Sequence, residues 1–134
     1  MKAATPKIFL FFIVLLYSYS AYSQNNIIDS IQKVLQTQKE DTNKVNTLNA
    51  LSKQLWQVGD YDQARKYGDD ALAFARSVSV GGGKGWAKGE ANANSNIGAI
   101  CEKKGNYPEA LKNHFAALKI YEKIGSKKGV AICL

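Results

Sequence analysis

Two stretches of this chain repeat one another at a fixed distance, and the repeat limits the fold more than any other feature. Gly105-Asn-Tyr-Pro-Glu-Ala-Leu-Lys-Asn-His-Phe-Ala-Ala-Leu118 has a degraded copy at Gly59-Asp-Tyr-Asp-Gln-Ala-Arg-Lys-Tyr-Gly-Asp-Asp-Ala-Leu72, 46 residues earlier. Gly59, Tyr61, Ala64, Ala71 and Leu72 match Gly105, Tyr107, Ala110, Ala117 and Leu118. Each copy reads as a tight turn, then a helix start, then a face of small residues. A second echo, Lys88-Gly-Glu-Ala91 against Lys128-Gly-Val-Ala131, has an offset of 40. The natural period is therefore 40, and the first interval has gained six residues around Gly81–Gly85.

Apolar spacing places helices on both sides of each turn. Ile27, Ile28, Ile31, Val34 and Leu35 lie on one helical face, with Asn26 as the expected N-cap and an end within Thr37–Asp41. Val45, Leu48, Leu51, Leu55 and Val58 form the next face, closed by Gly59, because glycine adopts the left-handed conformation without steric cost. Asp60 opens a helix whose inner face is Ala64, Tyr67, Ala71, Phe74, Ala75 and Val78. So short a turn requires the two helices to pack antiparallel. A second pair follows Trp86. Its first helix turns Ala87, Ala91, Asn94, Ile97, Ile100 and Cys101 inward. Its second begins at Tyr107-Pro108, where the missing proline N–H costs nothing. That helix presents Ala110, Leu111, His114, Ala117, Leu118, Tyr121 and Ile124, and ends at Gly125-Ser126. The expected architecture is all-α, a solenoid of antiparallel helix hairpins cut off after two full repeats. Because the third unit is only begun, the chain reads as the N-terminal part of a longer protein or a truncated product.

The N-terminus reads differently. Lys2 and Lys7 precede an unbroken apolar run from Ile8 to Leu16, and Ala21-Tyr22-Ser23 offers small residues for cleavage before Gln24. This is the layout of a secretory signal peptide. The alternative is a retained anchor, but about 15 mostly apolar residues fall short of the roughly 20 that span a bilayer. The organisation expected is a signal peptide at 1–23, an N-terminal helix at 24–41 and a first repeat at 45–78. A glycine-rich loop at 79–86, a second repeat at 87–125 and the start of a third at 127–134 complete it.

Charge and cysteine content exclude several classes. Eighteen Lys and Arg oppose 11 Asp and Glu; losing Lys2 and Lys7 leaves 16 against 11, a net +5. The cations are scattered, whereas nucleic-acid binding needs a clustered footprint. Cys101 and Cys133 could pair in an oxidising compartment, yet both fall on apolar helix faces, where free cysteine packs as a small hydrophobe. No CxxC points to zinc or redox chemistry. Gly83-Lys84 resembles part of a phosphate-binding loop, but Val78 and Gly85 stand where that motif needs Gly and Ser or Thr. A flexible surface loop is the expectation there. His114, the single histidine, lies on an apolar face with no carboxylate or nucleophile placed near it. Glu90 and Glu102 lie about 18 Å apart along one helix, too far for paired acid–base work. Asp69-Asp70 reads as a solvated pair, and Ser77, Ser79 and Ser95 lack partners. No catalytic residue, metal site or cofactor is expected.

The repeats resemble tetratricopeptide repeats. That family's pattern is matched by Leu51-Ser52, Gly59-Asp-Tyr61, Ala64 and Ala71-Leu72 in one unit. Ile97-Gly98, Gly105-Asn-Tyr107, Ala110 and Ala117-Leu118 match it in the next, and the likeness covers Val45 to Leu134. Ser52 replaces the usual glycine, Gly68 and His114 stand where the family favours an aromatic, and the proline that often ends a repeat is missing. The resemblance implies that the first helix of each unit lines a concave groove. Asn46, Asn49, Lys53 and Trp56 would come from one unit, and Asn92, Ser95, Ala99 and Glu102 from the next. Such a groove would bind a peptide or protein around an exposed Trp56. Alternatively, the asparagines are ordinary surface residues and Trp56 belongs to the core. The family's carboxylate clamp is not carried over, since Asn49 and Lys53 occur in reverse order. Two functions follow from the resemblance: a non-enzymatic, exported interaction scaffold on the outer side of the cytoplasmic membrane, or the sensory region of a longer signalling protein such as a membrane histidine kinase. Contact with the membrane would come only through the signal sequence or a later segment.

Overall fold

The computed structural model describes residues 26–133; the expected signal peptide at 1–23 lies outside them. The fold is all-helical apart from one minute β-ladder. Helix α1 covers residues 26–37, α2 Thr42–Gln57, α3 Tyr61–Ser77, α4 Ala87–Lys103, α5 Tyr107–Lys123 and α6 Lys127–Cys133. Strands β1, Ser79–Val80, and β2, Gly83–Lys84, lie between α3 and α4. None of the described helices is long and apolar enough to cross a membrane.

Three of the connections are built the same way. Gly59, Gly105 and Gly125 take φ values of +90°, +75° and +68°, conformations that penalise any side chain. At each, the glycine N–H donates three residues back, to the carbonyls of Trp56, Glu102 and Glu122. The next residue's N–H donates five back, to Leu55, Cys101 and Tyr121, which completes a Schellman end. That same residue caps the helix that follows. Asp60 accepts from Gln63 N–H at 3.1 Å, Asn106 from Glu109 N–H at 3.4 Å and Ser126 from Gly129 N–H at 3.2 Å. One residue therefore ends one helix with its backbone N–H and starts the next with its side chain.

The pairs are antiparallel, as contacts along them show. In the first, Leu55 meets the turn, Ser52 Oγ donates to Ala64 O at 2.8 Å, and Leu48 packs on Ala71. In the second, Cys101 and Ile97 pack on Ala110, Gly98 faces His114, and Ala91 meets Ala117 and Tyr121. Close approach depends on small residues: the buried face of α3 is Ala64, Gly68, Ala71 and Ala75. A Cβ on Gly68 would sit 3.1 Å from Ile97, so α4 lies directly against that face. Ile100 carries α4 onto α2 as well, packing with Leu51 and Leu55.

The α3–α4 connection differs from the expected flexible loop. Ser79 pairs with Lys84 and Val80 with Gly83, and the turn between them has Gly81 and Gly82 at φ +60° and +82°. Positive φ at both central residues is what a tight hairpin turn compatible with strand twist requires. Trp86 N–H then donates to Ala75 O, returning the chain to α3. This link has nine residues, 78–86, against three, 124–126, between α5 and α6. The six-residue difference accounts for the two repeat intervals.

Some expected positions are corrected. Asn26 lies within α1 instead of capping it. Ala87 faces solvent, as do Val58, Leu111 and Ile124, at 38%, 58% and 39% exposure. For α5 the reason is its spacing. Ala110, Ala117 and Tyr121 fill the buried face, so Leu111 turns toward the outer side. Cys101 and Cys133 are both free, and burial raises both thiols above their ordinary range.

Ion pairs tie the first helix pair to the second: Asp62–Lys104 at 2.7 Å, Arg65–Glu109 at 2.8 Å and Arg76–Glu90 at 2.8 Å. All are solvent-exposed enough that each contributes little alone. The hydrogen bond from Arg65 holds the Glu109 carboxyl below its ordinary 4.5, and that from Lys104 holds Asp62 below 3.8. Depressed carboxyls stabilise the fold above their ordinary values and lose that effect as pH falls through the folded ones. Urea midpoints should therefore fall between about pH 5 and about pH 3, and more shallowly in an Asp62→Asn/Glu109→Gln variant. Ala110, 4% exposed against Ile97 and Cys101, has no room for a larger group. Ala110→Leu should destabilise by roughly 1–3 kcal/mol and lower the melting temperature; an unchanged value would refute this packing.

Candidate functional site

Helices α2 and α4 run side by side and share an open groove of ≈ 690 Å³. From α2 it takes Asn46, Asn49, Ala50, Lys53, Trp56 and Gln57, a single face at three- and four-residue steps. From α4 it takes Asn92, Ser95, Asn96, Ala99 and Glu102. His114 and Tyr121 of α5 and Ile132 of α6 close the far side. All seven residues proposed from the sequence, Asn46, Asn49, Lys53, Trp56, Asn92, Ser95 and Glu102, fall in this one groove. Asn96, Gln57, His114 and Tyr121 were missed. Asn96 and Gln57 are one turn from Asn92 and Lys53 and could have been found by continuing the same periodicity. His114 and Tyr121 read as apolar-face residues, and only the packed fold reveals their edges.

The groove residues are not equivalent. Asn49 is 6% exposed and occupied: its Nδ2 donates to Gly89 O at 3.2 Å. Its own backbone oxygen and Oδ1 accept from Asn96 Nδ2 at 3.0 and 3.3 Å. Gly89 is where α4 meets α2, since a Cβ there would collide with Val45 and Trp86. Asn49 thus fastens the floor of the groove. Trp56 packs against the Ile28, Leu51 and Leu55 core, with Nε1 buried and unbonded in the protein. It is a partly buried core residue with one edge in the groove, so it joins the two readings that the sequence left open.

Asn92 is oriented from below. Tyr121 Oη donates to its Oδ1 at 2.6 Å, which turns the amide nitrogen away from the tyrosine. Burial pushes the Tyr121 hydroxyl up to about 12, with a smaller contribution from Cys133. The tyrosine therefore remains a neutral donor. His114 fills the space left by Gly98: three of its ring atoms lie within 2.9 Å of where a Cβ would be. Its Nε2 is 3.9 Å from Glu102 Oε2, beyond hydrogen-bond length, and Nδ1 is buried without a protein partner. Asn46, Lys53 and Glu102 remain exposed, and their side chains make no hydrogen bond among the described residues.

Chemically, the groove offers amides, one ammonium and one carboxylate on a rigid two-helix floor. Among the described residues no three His, Cys, Asp or Glu are grouped closely enough to hold a metal ion. Compared with known proteins, the chain matches no family model and no curated protein.

The engaged and free groove residues should separate in measurement. Asn49→Ala removes hydrogen bonds joining α2 to α4 and should cost about 1–2 kcal/mol, seen as a lower urea midpoint. Asn46→Ala, on the exposed rim, should change stability by no more than about 0.5 kcal/mol.

Proposed function

We propose that this chain is a solenoid of the tetratricopeptide type and acts as a non-enzymatic scaffold, binding a peptide or protein in the groove between α2 and α4. The observation that carries the reading is the pairing of a fixed floor with a free rim. Asn49, Asn96 and the Tyr121–Asn92 pair hold the floor. Asn46, Lys53 and Glu102 stand above it with their polar groups unengaged. Rim groups that need not be released from an existing hydrogen bond, standing over a fixed floor, suit recognition of a chain segment. The repeated Gly turns and the small-residue face of α3 support the solenoid reading, because they stack hairpins through one recurring device. The N-terminal sequence supports assigning this scaffold to the outer side of the cytoplasmic membrane.

Peptides selected from a displayed library against the protein provide the test. Binding should weaken at least about tenfold in an Asn46→Ala/Lys53→Ala/Glu102→Ala variant that keeps its helical circular dichroism. Peptides that bind wild type and this variant equally would place recognition elsewhere and refute the groove.

A further inference from the structure

A second cleft, of ≈ 790 Å³, opens between the end of α1 and the flank of α3, where Tyr67 and Phe74 are half-buried against the core, and it shares no residue with the groove. Its wall on α3 is Tyr67, Asp70 and Phe74. These fall three and four residues apart, so the carboxylate stands one turn from each ring on the same helix face. Leu48 of α2 supplies an apolar floor, and Glu40 a second carboxylate at the rim.

The cleft already holds one cation of the chain's own. Lys44 Nζ lies 5.2 Å from the centre of the Phe74 ring and 3.4 Å from Glu40 Oε1. That distance is within range for attraction between a cation and an aromatic face. Lys44 and Glu40 thus satisfy each other. Asp70 does not share in this: it is exposed and makes no ion pair among the described residues. Its neighbour Asp69, by contrast, is paired with Arg65 at 2.9 Å.

We propose that this cleft is a second docking point, taking an arginine side chain of a peptide partner between Tyr67 and Phe74 and onto Asp70. A guanidinium fits these groups better than an ammonium does. It is flat, so it stacks on an aromatic face, and its fork presents two N–H groups to one carboxylate. The Lys44 ammonium competes for the Phe74 face, so the incoming group relies on Asp70 for its charge partner.

Arginine ethyl ester titrated into the protein, followed by amide NMR shifts, tests this. Saturable shifts are expected at Tyr67, Asp70 and Phe74, and citrulline ethyl ester, which keeps the α-ammonium but has a flat, uncharged ureido group in place of the guanidinium, should not produce them. Asp70→Asn should weaken binding about fivefold or more, the scale of a partly exposed charge pair. Asp69→Asn, at the adjacent carboxylate, should leave binding unchanged. Shifts that do not saturate, equal binding of citrulline ester, or an Asp70→Asn variant that binds as well as wild type would each overturn the proposal. Because none of these positions lines the groove, failure here leaves the groove reading standing, and the reverse also holds.

Discussion

Helix backbones pack at a distance set by the side chains between them, and here those side chains are nearly absent. Ala64, Gly68, Ala71 and Ala75 give α3 a face with little more than methyl groups, and α2 and α4 both lie against it. Gly89 does the same where α4 meets α2, and Gly98 makes room for the His114 ring. Apolar burial from Leu51, Leu55, Ile97 and Ile100 stabilises an arrangement that the small residues make geometrically available. The groove depends on this constraint. Only because α2 and α4 approach at Gly89 can Asn49 reach a backbone oxygen on the neighbouring helix.

The same closeness gives the groove its division of labour. Polar side chains at the helix contact become buried and must find partners, since an unpaired buried amide is costly. Asn49 and Asn96 find them in each other and in backbone carbonyls. A turn farther out, Asn46 and Lys53 remain in solvent. The boundary between holding the fold and facing a ligand thus runs through one helical face, with residues three or four apart on opposite sides of it.

Much of the fold was legible because its signals are local. Apolar periodicity located the helices, and Gly59, Gly105 and Gly125 announced turns that only glycine makes cheaply. The four-glycine link was harder. Three successive glycines favour no regular structure by propensity, and the ladder follows from turn geometry and from where α3 and α4 leave their ends. The groove was legible as a set of positions but not as a set of roles. Nothing near Asn49 in sequence distinguishes it from Asn46; its bonding partner is 40 residues away. Trp56 was equally ambiguous, because its spacing suits both the core and the groove and it touches both. Leu111 was misplaced since helical periodicity alone does not fix how wide the buried stripe is.

At the turns of Gly59, Gly105 and Gly125 the glycine N–H, the next residue's N–H and its capping side chain are all already assigned to a neighbour. One inserted residue would break the helix end and the cap together. The link from Val78 to Trp86 is different in kind. Its strands satisfy one another, Gly85 N–H closes the link on Val78 O, and Trp86 N–H bonds back to Ala75 O of α3. Lengthening a loop that already closes costs little, about 0.6 kcal/mol for each doubling. The fold therefore has one expansion joint among otherwise rigid corners, and variation in chain length can be absorbed there without shifting the helices on either side.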